Sequence, residues 1–301
     1  MSRLALDLPD SQSLLSQATT ENFPVALKLL RPRERGHLLA VYGYARLVDD
    51  IGDELDGPPL KRLAALDGVE SELAGALRGE ASHPVIEAVA KTVRELDLDP
   101  KPLLQLIEAN RQDQTKATYA DFDELLQYCS LSANPVGRLV LGIFGEAGSS
   151  KEAASDLICS GLQVVEHLQD VAEDYGSGRV YLPEEDLARF GVPANSLSRR
   201  PAGQPVSEAF RRLMAFEVAR ARKLLTDGAR LVGLVGDRRV AFAVAGFAGG
   251  GLAQLEAIER AGYDVLSRQV KAANGAILRD AVRLLRRERF GRVRQRGEAA
   301  A

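Results

Sequence analysis

Tryptophan is absent from this 301-residue chain, and cysteine, histidine and aromatic residues are all scarce. The two cysteines, Cys129 and Cys159, lie in apolar helical runs, which predicts buried, reduced thiols of a cytosolic protein and argues against a disulfide framework. The N-terminus has no apolar segment of the kind that a signal peptide needs. The longest apolar run, over residues 240–253, is shorter than the roughly 18 residues of a membrane span. Its glycines predict a core helix packed closely on a neighbour.

The chain has no excess of basic charge. Its net charge of −3 argues against nucleic acid as a partner. No clear alternation of apolar and polar residues indicates a strand, whereas helical periodicity extends from Glu21 to about Arg289. The pattern predicts one all-α domain over residues 21–290, a leader over 1–20 and a basic, disordered tail over 291–301. Helices are expected near residues 33–55, 59–78, 84–96, 101–113, 121–146, 149–176, 205–234, 237–262 and 275–289, with the longest loop over 176–204.

Pro135 interrupts the apolar run SANPVGRLVLGIFG inside one expected helix. Proline removes a backbone hydrogen bond and kinks a helix. Two interpretations stay open: a loop between two helices, or a bent helix that opens a pocket beside Tyr128 and Ser132.

Two aspartate-rich stretches, far apart in the chain, are its strongest signal. The first reads ARLVDDIGDE and the second QVVEHLQDVAEDYGSGRVYLP. Each contains Asp-x-x-x-Asp, Asp49 with Asp53 and Asp170 with Asp174, a spacing that places both carboxylates on one helical face. The apolar flanks predict that these acids point into the protein, where an unpaired charge costs about 3–5 kcal/mol. Cations are therefore expected there, and such oxygen ligands suit Mg²⁺ shared with substrate phosphates.

Other polar residues share the faces of these aspartates. An arginine beside paired carboxylates is typical of a diphosphate site, because it meets phosphate oxygens by bidentate hydrogen bonds. A solvated acidic face is the alternative for a single motif, and two motifs with arginines argue against it. The first face comprises Tyr42, Arg46, Asp49 and Asp53; the second comprises Gln163, Glu166, Asp170, Glu173 and Asp174, and Arg179 and Tyr181 follow in the loop, where they would fold over a phosphate.

Weaker patterns have simpler interpretations. The strings Glu34–His37 and Glu80–His83 superficially suggest a di-iron bundle, but each lies at a helix start and predicts a surface histidine. The run GFAGGGLAQ follows no strand, so it does not predict a dinucleotide site. His167 is expected to be a packing residue rather than a metal ligand.

At these motifs the sequence resembles the squalene/phytoene synthase family of head-to-head prenyl synthases, from Glu21 to Gln269. RLVDDIGDE and QDVAEDYGSGRVYLP carry the resemblance. It implies an all-α isoprenoid synthase fold, a single helical domain with a central active-site cavity, and Mg²⁺-bound diphosphate between two aspartate-rich helices. Carried over by position, the implied metal ligands are Asp49, Asp53, Asp170 and Asp174, with Glu166 beside them; the diphosphate-binding arginines are Arg46, Arg179 and Arg268; the pocket residues are Tyr42, Tyr128 and Gln163; and Phe23 contacts substrate.

The segments ENFPV and YCSLSANPVGR resemble the bacterial hydroxysqualene synthase branch of squalene and hopanoid biosynthesis. This implies a cytoplasmic enzyme that takes presqualene diphosphate from a sister synthase and passes hydroxysqualene to a reductase. Tyr128 or Ser132 is the expected water-positioning group. The chain departs from many members at Glu166, where they have Asn, and Gln169 stands where some relatives have a basic residue.

Two alternatives remain at this point. A sister reaction would condense two prenyl diphosphates to presqualene diphosphate, squalene or phytoene, and a non-enzymatic helical scaffold would use its basic end for docking. Residues 271–301 hold nine Lys/Arg and three Asp/Glu, a net charge of +6. The segment 279–297 is amphipathic, so it predicts either peripheral contact with anionic lipid at the inner face of the plasma membrane or a final packed helix with a solvated end.

Overall fold

The computed structural model describes residues 31–80, 83–201 and 203–290. Within these ranges helices dominate and no β-strand occurs, apart from one isolated parallel bridge between Thr118 and Val180. The all-α prediction is therefore confirmed. Phe23, the expected leader and the tail after residue 290 lie outside the described residues.

Prolines and side-chain caps mark where many of the helices begin. Pro32, Pro59 and Pro84 occupy first-turn positions, where a missing backbone N–H costs nothing. The side chains of Asp121 and Ser207 accept hydrogen bonds from backbone N–H groups of the helices that follow them. The α-helices are α1 (Pro32–Asp53), α2 (Pro59–Leu77), α3 (Pro84–Leu96), α4 (Lys101–Asp113), α5 (Phe122–Ser132), α6 (Asn134–Ile143), α7 (Ser149–Gln169), α8 (Val171–Gly176), α9 (Glu184–Phe190), α10 (Glu208–Gly228), α11 (Leu231–Leu234), α12 (Arg238–Arg260) and α13 (Asn274–Leu285), and a 3₁₀ turn covers Ala194–Leu197 and a π turn Arg286–Phe290.

Several long helices expected from periodicity are divided. The helix expected over 121–146 is interrupted at Ala133, so α5 and α6 are separate helices that follow each other directly. This outcome is close to the two-helix interpretation of Pro135, which lies in the first turn of α6. The loop expected over 176–204 contains α9 and the 3₁₀ turn, both too short to register as periodic patterns.

The described chain is organised as two compact units. The first unit comprises residues 31–115 and 135–147 of the described chain, and the second comprises 116–134 and the described residues from 148 onward. In the first unit, α1 to α4 bury a core that includes Leu47, Leu66, Leu73, Leu103 and Ile107. Because one face of α1 packs into this core, the opposite face of the helix points away from it.

In the second unit, α12 packs on α13 and α10 packs along α7. Of the described helices, α12 is long and apolar enough to cross a membrane by composition, but 56% of its apolar window is buried inside the protein. A Cβ atom at Gly249 would lie 2.6 Å from the backbone nitrogen of Ala281 in α13. The glycine-rich run is thus the contact surface of a closely packed core helix, as the sequence predicted.

Two predictions about single residues need correction. His37 is buried and does not lie at the surface. Its Nδ1 lies 3.0 Å from the hydroxyl of Thr92, and this hydrogen bond offsets the cost of burying the imidazole. Both cysteines are free thiols, as predicted, but Cys159 is only half-buried, whereas Cys129 is buried.

The basic C-terminal segment packs on the second unit as far as it is described. Arg279 pairs with Glu256, and Arg283 lies 3.1 Å from Asp280. Arg289 donates a 2.9 Å hydrogen bond to the carbonyl of Val235. The interpretation as a final packed helix therefore holds for α13 and the turn after it.

Candidate active site

The first acidic motif lies on α1, in the first unit. Leu47, Val48 and Ile51 are buried, while Asp49 and Asp53 lie on the solvent-accessible side of the helix. The expectation that these acids point into the protein is wrong for Asp53, which is exposed because the apolar flanks bury the opposite face of the helix, whereas Asp49 reaches solvent and is still largely surrounded by protein atoms. The two carboxylates are available to a ligand from solution.

The pKa of Asp49 is raised to about 6, first because surrounding protein atoms desolvate it, although its side chain keeps contact with solvent. A hydrogen bond from Asn110 acts in the opposite direction, and the neighbouring charge of Asp53 raises the pKa further. A carboxylate in such surroundings gains stability when a cation binds beside it.

Arg46, one turn before Asp49, is held by two carboxylates. Its Nε lies 2.7 Å from Asp50, and its guanidinium lies 3.0 Å from Glu54. Tyr42 is half-buried on the same helix. Helix α1 therefore brings Tyr42, Arg46, Asp49 and Asp53 to one side, as their spacing predicted, with the arginine already engaged.

The second motif lies where α7 gives way to α8, in the second unit. The expected continuous helix over 149–176 is interrupted at Asp170, whose φ of −103° and ψ of 16° depart from helical values. Backbone hydrogen bonds from Asp170 to Glu166 (3.0 Å) and from Asp174 to Asp170 (2.8 Å) bridge the interruption. The one-turn spacing of the acids thus survives a local bend.

The acids of this motif crowd one another. The pKa of Asp170 is raised to about 6, first by desolvation and then by the charges of Glu173, Glu166 and Asp174. One oxygen of Asp174 is buried and has no hydrogen-bond partner among the described residues, and Nδ1 of His167 lies 3.7 Å from it. The donor set fits a hard divalent cation.

Neither motif makes a complete metal cage. Within the described ranges, no group of three or more acidic, histidine or cysteine side chains is arranged to hold a metal ion by itself. Mg²⁺ ordinarily keeps several waters and takes one or two carboxylates together with substrate phosphates. The arrangement fits an ion that arrives with a diphosphate.

Four aromatic side chains pack together next to the second motif. The ring of Tyr181 stacks on His167 at 3.6 Å and on Tyr119 at 5.5 Å, and Tyr128 lies 5.7 Å from it. Tyr181 was expected to fold over a bound phosphate, but its ring is buried and held by this stacking. His167 is a packing residue, as predicted, and it also links the cluster to Asp174.

A small pocket, with room for about one water molecule, lies beside this cluster within the second unit. The polar groups at its wall belong to His167, Asp174, Arg179 and Tyr181. The predicted arginine and the predicted aspartate of the second motif therefore share one pocket. Its remaining lining residues are Val171, Val180, Leu182 and Leu197.

The other predicted residues lie at varied positions. Gln163 is half-buried, with its Nε2 3.3 Å from Nε2 of His167, whereas Arg268 is exposed beyond the end of α12. Ser132 ends α5, and its buried hydroxyl has no hydrogen-bond partner among the described residues. Tyr119 and Asn110 were not predicted, because no local pattern associates either residue with an acidic motif.

Comparison with solved structures places the fold among the isoprenoid synthases. A squalene synthase HpnC from Alicyclobacillus acidocaldarius matches 84% of this chain and 94% of its own, with a TM-score of 0.76 and 40% identity. A dehydrosqualene synthase in complex with a ligand covers 91% of this chain and 94% of its own with a TM-score of 0.79, and at 22% identity it supports the fold alone.

Sequence comparison gives the family. The model of the squalene/phytoene synthase family matches residues 16–275, and the chain belongs to that family. The hydroxysqualene synthase of Rhodopseudomonas palustris is 39% identical over 74% of this chain and 74% of its own length. The phytoene synthase of Mycobacterium tuberculosis is 30% identical over 85% of this chain and 83% of its own length.

Proposed function

We propose that the protein converts presqualene diphosphate and water to hydroxysqualene with release of diphosphate. The observation that carries this proposal is the similarity to three proteins named hydroxysqualene synthase, which are 33–39% identical over about three quarters of the chain. The two acidic motifs lie within the region that the family model matches. In the reaction, diphosphate leaves with the bonding electron pair, and a water oxygen bonds to the rearranged carbocation and releases a proton.

Mg²⁺ is the cofactor in this proposal, with Asp49 and Asp53 as ligands in the first unit and Glu166, Asp170 and Asp174 in the second. The raised pKa of Asp170 among like charges and the unpartnered oxygen of Asp174 favour this assignment. When bound, Mg²⁺ would stabilise the charge that develops on the departing diphosphate. Glutamate at position 166 keeps an oxygen ligand where many members have asparagine.

Arginines bind the diphosphate in this proposal. Arg179 lines the same small pocket as Asp174 and Tyr181, so its guanidinium lies on the same side of the second unit as a proposed metal ligand and would bind a phosphate oxygen there. Arg46 would exchange its contacts with Asp50 and Glu54 for phosphate oxygens. The Glu54 contact is exposed and contributes about 0–1 kcal/mol, whereas the side chain of Asp50 is mostly buried, so giving up that second contact costs more. Arg268, exposed at the surface, is the third arginine carried over from the family.

The carbocation requires apolar and aromatic surroundings. Tyr128 presents a ring from the aromatic cluster, and cation–π attraction contributes about 0.5–2 kcal/mol per ring. Ser132, one turn after Tyr128 on α5, has a hydroxyl free to hold the attacking water. Tyr42, Gln163 and Phe23 are proposed substrate contacts on the strength of the family pattern.

The proposal is tested by incubating the purified protein and Mg²⁺ with presqualene diphosphate, and separately with farnesyl diphosphate, without any reductant. Product identification by mass spectrometry should find hydroxysqualene and free diphosphate from the first substrate only. A variant with both Asp49→Asn and Asp170→Asn serves as the inactive control. Presqualene diphosphate or phytoene as the main product from prenyl diphosphates would refute the assignment.

Condensation of two prenyl diphosphates is the second candidate, because phytoene synthases match the chain at 30% identity over 85% of its length. Under the first proposal, the substrate comes from a separate enzyme that condenses two farnesyl diphosphates, and a separate reductase consumes the product. The protein would act in the cytoplasm, with peripheral contact to anionic lipid limited to residues beyond Phe290.

A further inference from the structure

A buried amide meets the first acidic motif from a different helix. Asn110, in the last turn of α4, donates a 3.0 Å hydrogen bond from Nδ2 to Oδ1 of Asp49. The same nitrogen donates to the carbonyl of Leu106 at 3.2 Å. Because the carbonyl of Leu106 and the ionised carboxylate of Asp49 can only accept, the nitrogen of Asn110 must face them, and its orientation is fixed.

Gly52 makes this approach possible. A Cβ atom at position 52 would lie 2.0 Å from Oδ1 and 2.9 Å from Cγ of Asn110, so any larger residue there would displace the amide. The nitrogen Nε2 of Gln114 donates to the carbonyls of Gly52 and Asn110, each at 3.0 Å. The end of α4 is thereby joined to the backbone of the acidic motif.

The rest of α4 is also firmly held. The hydroxyl of Tyr44 donates to the carbonyl of Leu103 at 3.2 Å, and Arg111 contacts Asp67 and Glu70 on α2 at 2.5 Å. Asn110 itself is 6% exposed. A donor that is buried and held on a packed helix can restrict the rotation of the carboxylate it contacts.

We propose that Asn110 is a positioning residue for the metal ligand Asp49, and that Gly52 is required because it admits the Asn110 amide. With Oδ1 held by Asn110, Oδ2 of Asp49 would be the oxygen that binds a divalent cation. This inference rests on the proposed role of Asp49 in binding Mg²⁺. Groups that orient metal ligands typically contribute 10- to 100-fold to metal affinity.

The test uses Asn110→Ala, Gly52→Ala and the double variant of the full chain. Calorimetric titration with Mg²⁺ in the presence of inorganic pyrophosphate should show affinity about 10- to 100-fold weaker in each single variant. The double variant should be no weaker than the worse single one, because Gly52 acts through Asn110. Gly43→Ala is the matched control, since it lies on the same helix and its added Cβ would make an ordinary 3.6 Å contact with Val85.

Thermal unfolding without Mg²⁺ separates positioning from mere packing. A purely structural role would lower the unfolding midpoint and leave the Mg²⁺ affinity of the folded protein unchanged. A Mg²⁺ affinity of Asn110→Ala within twofold of the wild type would overturn this inference but not the metal role of Asp49. Additive losses of affinity in the double variant would do the same. Absence of Mg²⁺ binding by the wild type would overturn the metal role of Asp49 and the inference together.

Discussion

At the scale of single residues, the carboxyl group of Asp170 has a raised pKa and is also a proposed metal ligand. Its folded-state pKa of about 6 lies above the unfolded value near 3.9, so the protonated form is favoured by folding. The stability that this group contributes is present below about pH 4 and is lost as pH rises through 6. In the metal-free protein at neutral pH, the ionised group is therefore destabilising.

Asp170→Asn should accordingly stabilise the metal-free protein while it removes activity. With solvent screening included, we expect the free energy of unfolding to rise by about 1–2 kcal/mol at pH 7.5. This gain should shrink as the pH falls from 6 to 4. Diphosphate release should fall about 100-fold or more. Thermal unfolding across this pH range, with a parallel activity assay, measures both effects. Equal stabilisation at pH 4 and pH 7.5 would contradict the electrostatic explanation.

The hydroxyl of Ser132 allows a second prediction at this scale. Since this buried hydroxyl has no hydrogen-bond partner among the described residues, Ser132→Ala should leave the free energy of unfolding unchanged or raise it by up to about 1–3 kcal/mol. If it positions water, hydroxysqualene should become a smaller share of the products. Ser160→Ala is the control, because Ser160 donates a 2.9 Å hydrogen bond to Asn134 and its loss should cost about 1 kcal/mol with the product ratio unchanged. An unaltered product ratio in Ser132→Ala removes Ser132 from the mechanism.

At the scale of helices, close backbone approach organises the second unit. Gly249 of α12 faces the backbone of α13 at a distance that excludes a side chain, whereas a Cβ at Gly246 on the same helix would meet nothing within 4 Å. The two positions differ in contacts while sharing the same helical backbone. They form a matched pair for measuring how much the close approach of the two helices contributes to the free energy of unfolding.

Gly249→Ala should destabilise the protein by about 1–3 kcal/mol, because α12 and α13 must move apart. Gly246→Ala should be neutral or stabilising by up to about 1 kcal/mol, since alanine favours a helix. Chemical denaturation of both variants provides the comparison. Similar free energies of unfolding for the two variants would show that the α12–α13 contact adjusts readily.

At the scale of the whole molecule, charge is distributed unevenly along the chain. The basic end of the sequence suggested membrane docking, but Arg279, Arg283 and Arg289 are engaged within the second unit. A chain that ends at Arg289 should therefore bind anionic vesicles no better than neutral ones. Co-sedimentation of this version beside the full-length protein is the measurement. Binding by the full-length protein alone would assign membrane contact to residues 290–301, and equal binding by both versions would contradict the prediction.

Local sequence patterns were enough to predict the helical class, many of the helix positions and the two acidic motifs. These follow from periodicity, proline positions and one-turn spacing, all of which are local properties of the chain. The bend at Asp170 and the short helix α9 escaped prediction because both are smaller than the window in which periodicity can be recognised. Which face of α1 would be buried also depended on its neighbours.

The residues that surround the motifs are set by the packing of helices that lie far apart in the chain. Asn110 reaches Asp49 across 61 residues, and Tyr181, His167, Tyr128 and Tyr119 meet from separate segments. Such contacts depend on how helices cross and how closely they approach, which no local pattern encodes. The acidic residues of the proposed chemistry are recognisable from local sequence. The amide that holds Asp49 and the rings packed beside the second motif follow from how the helices pack.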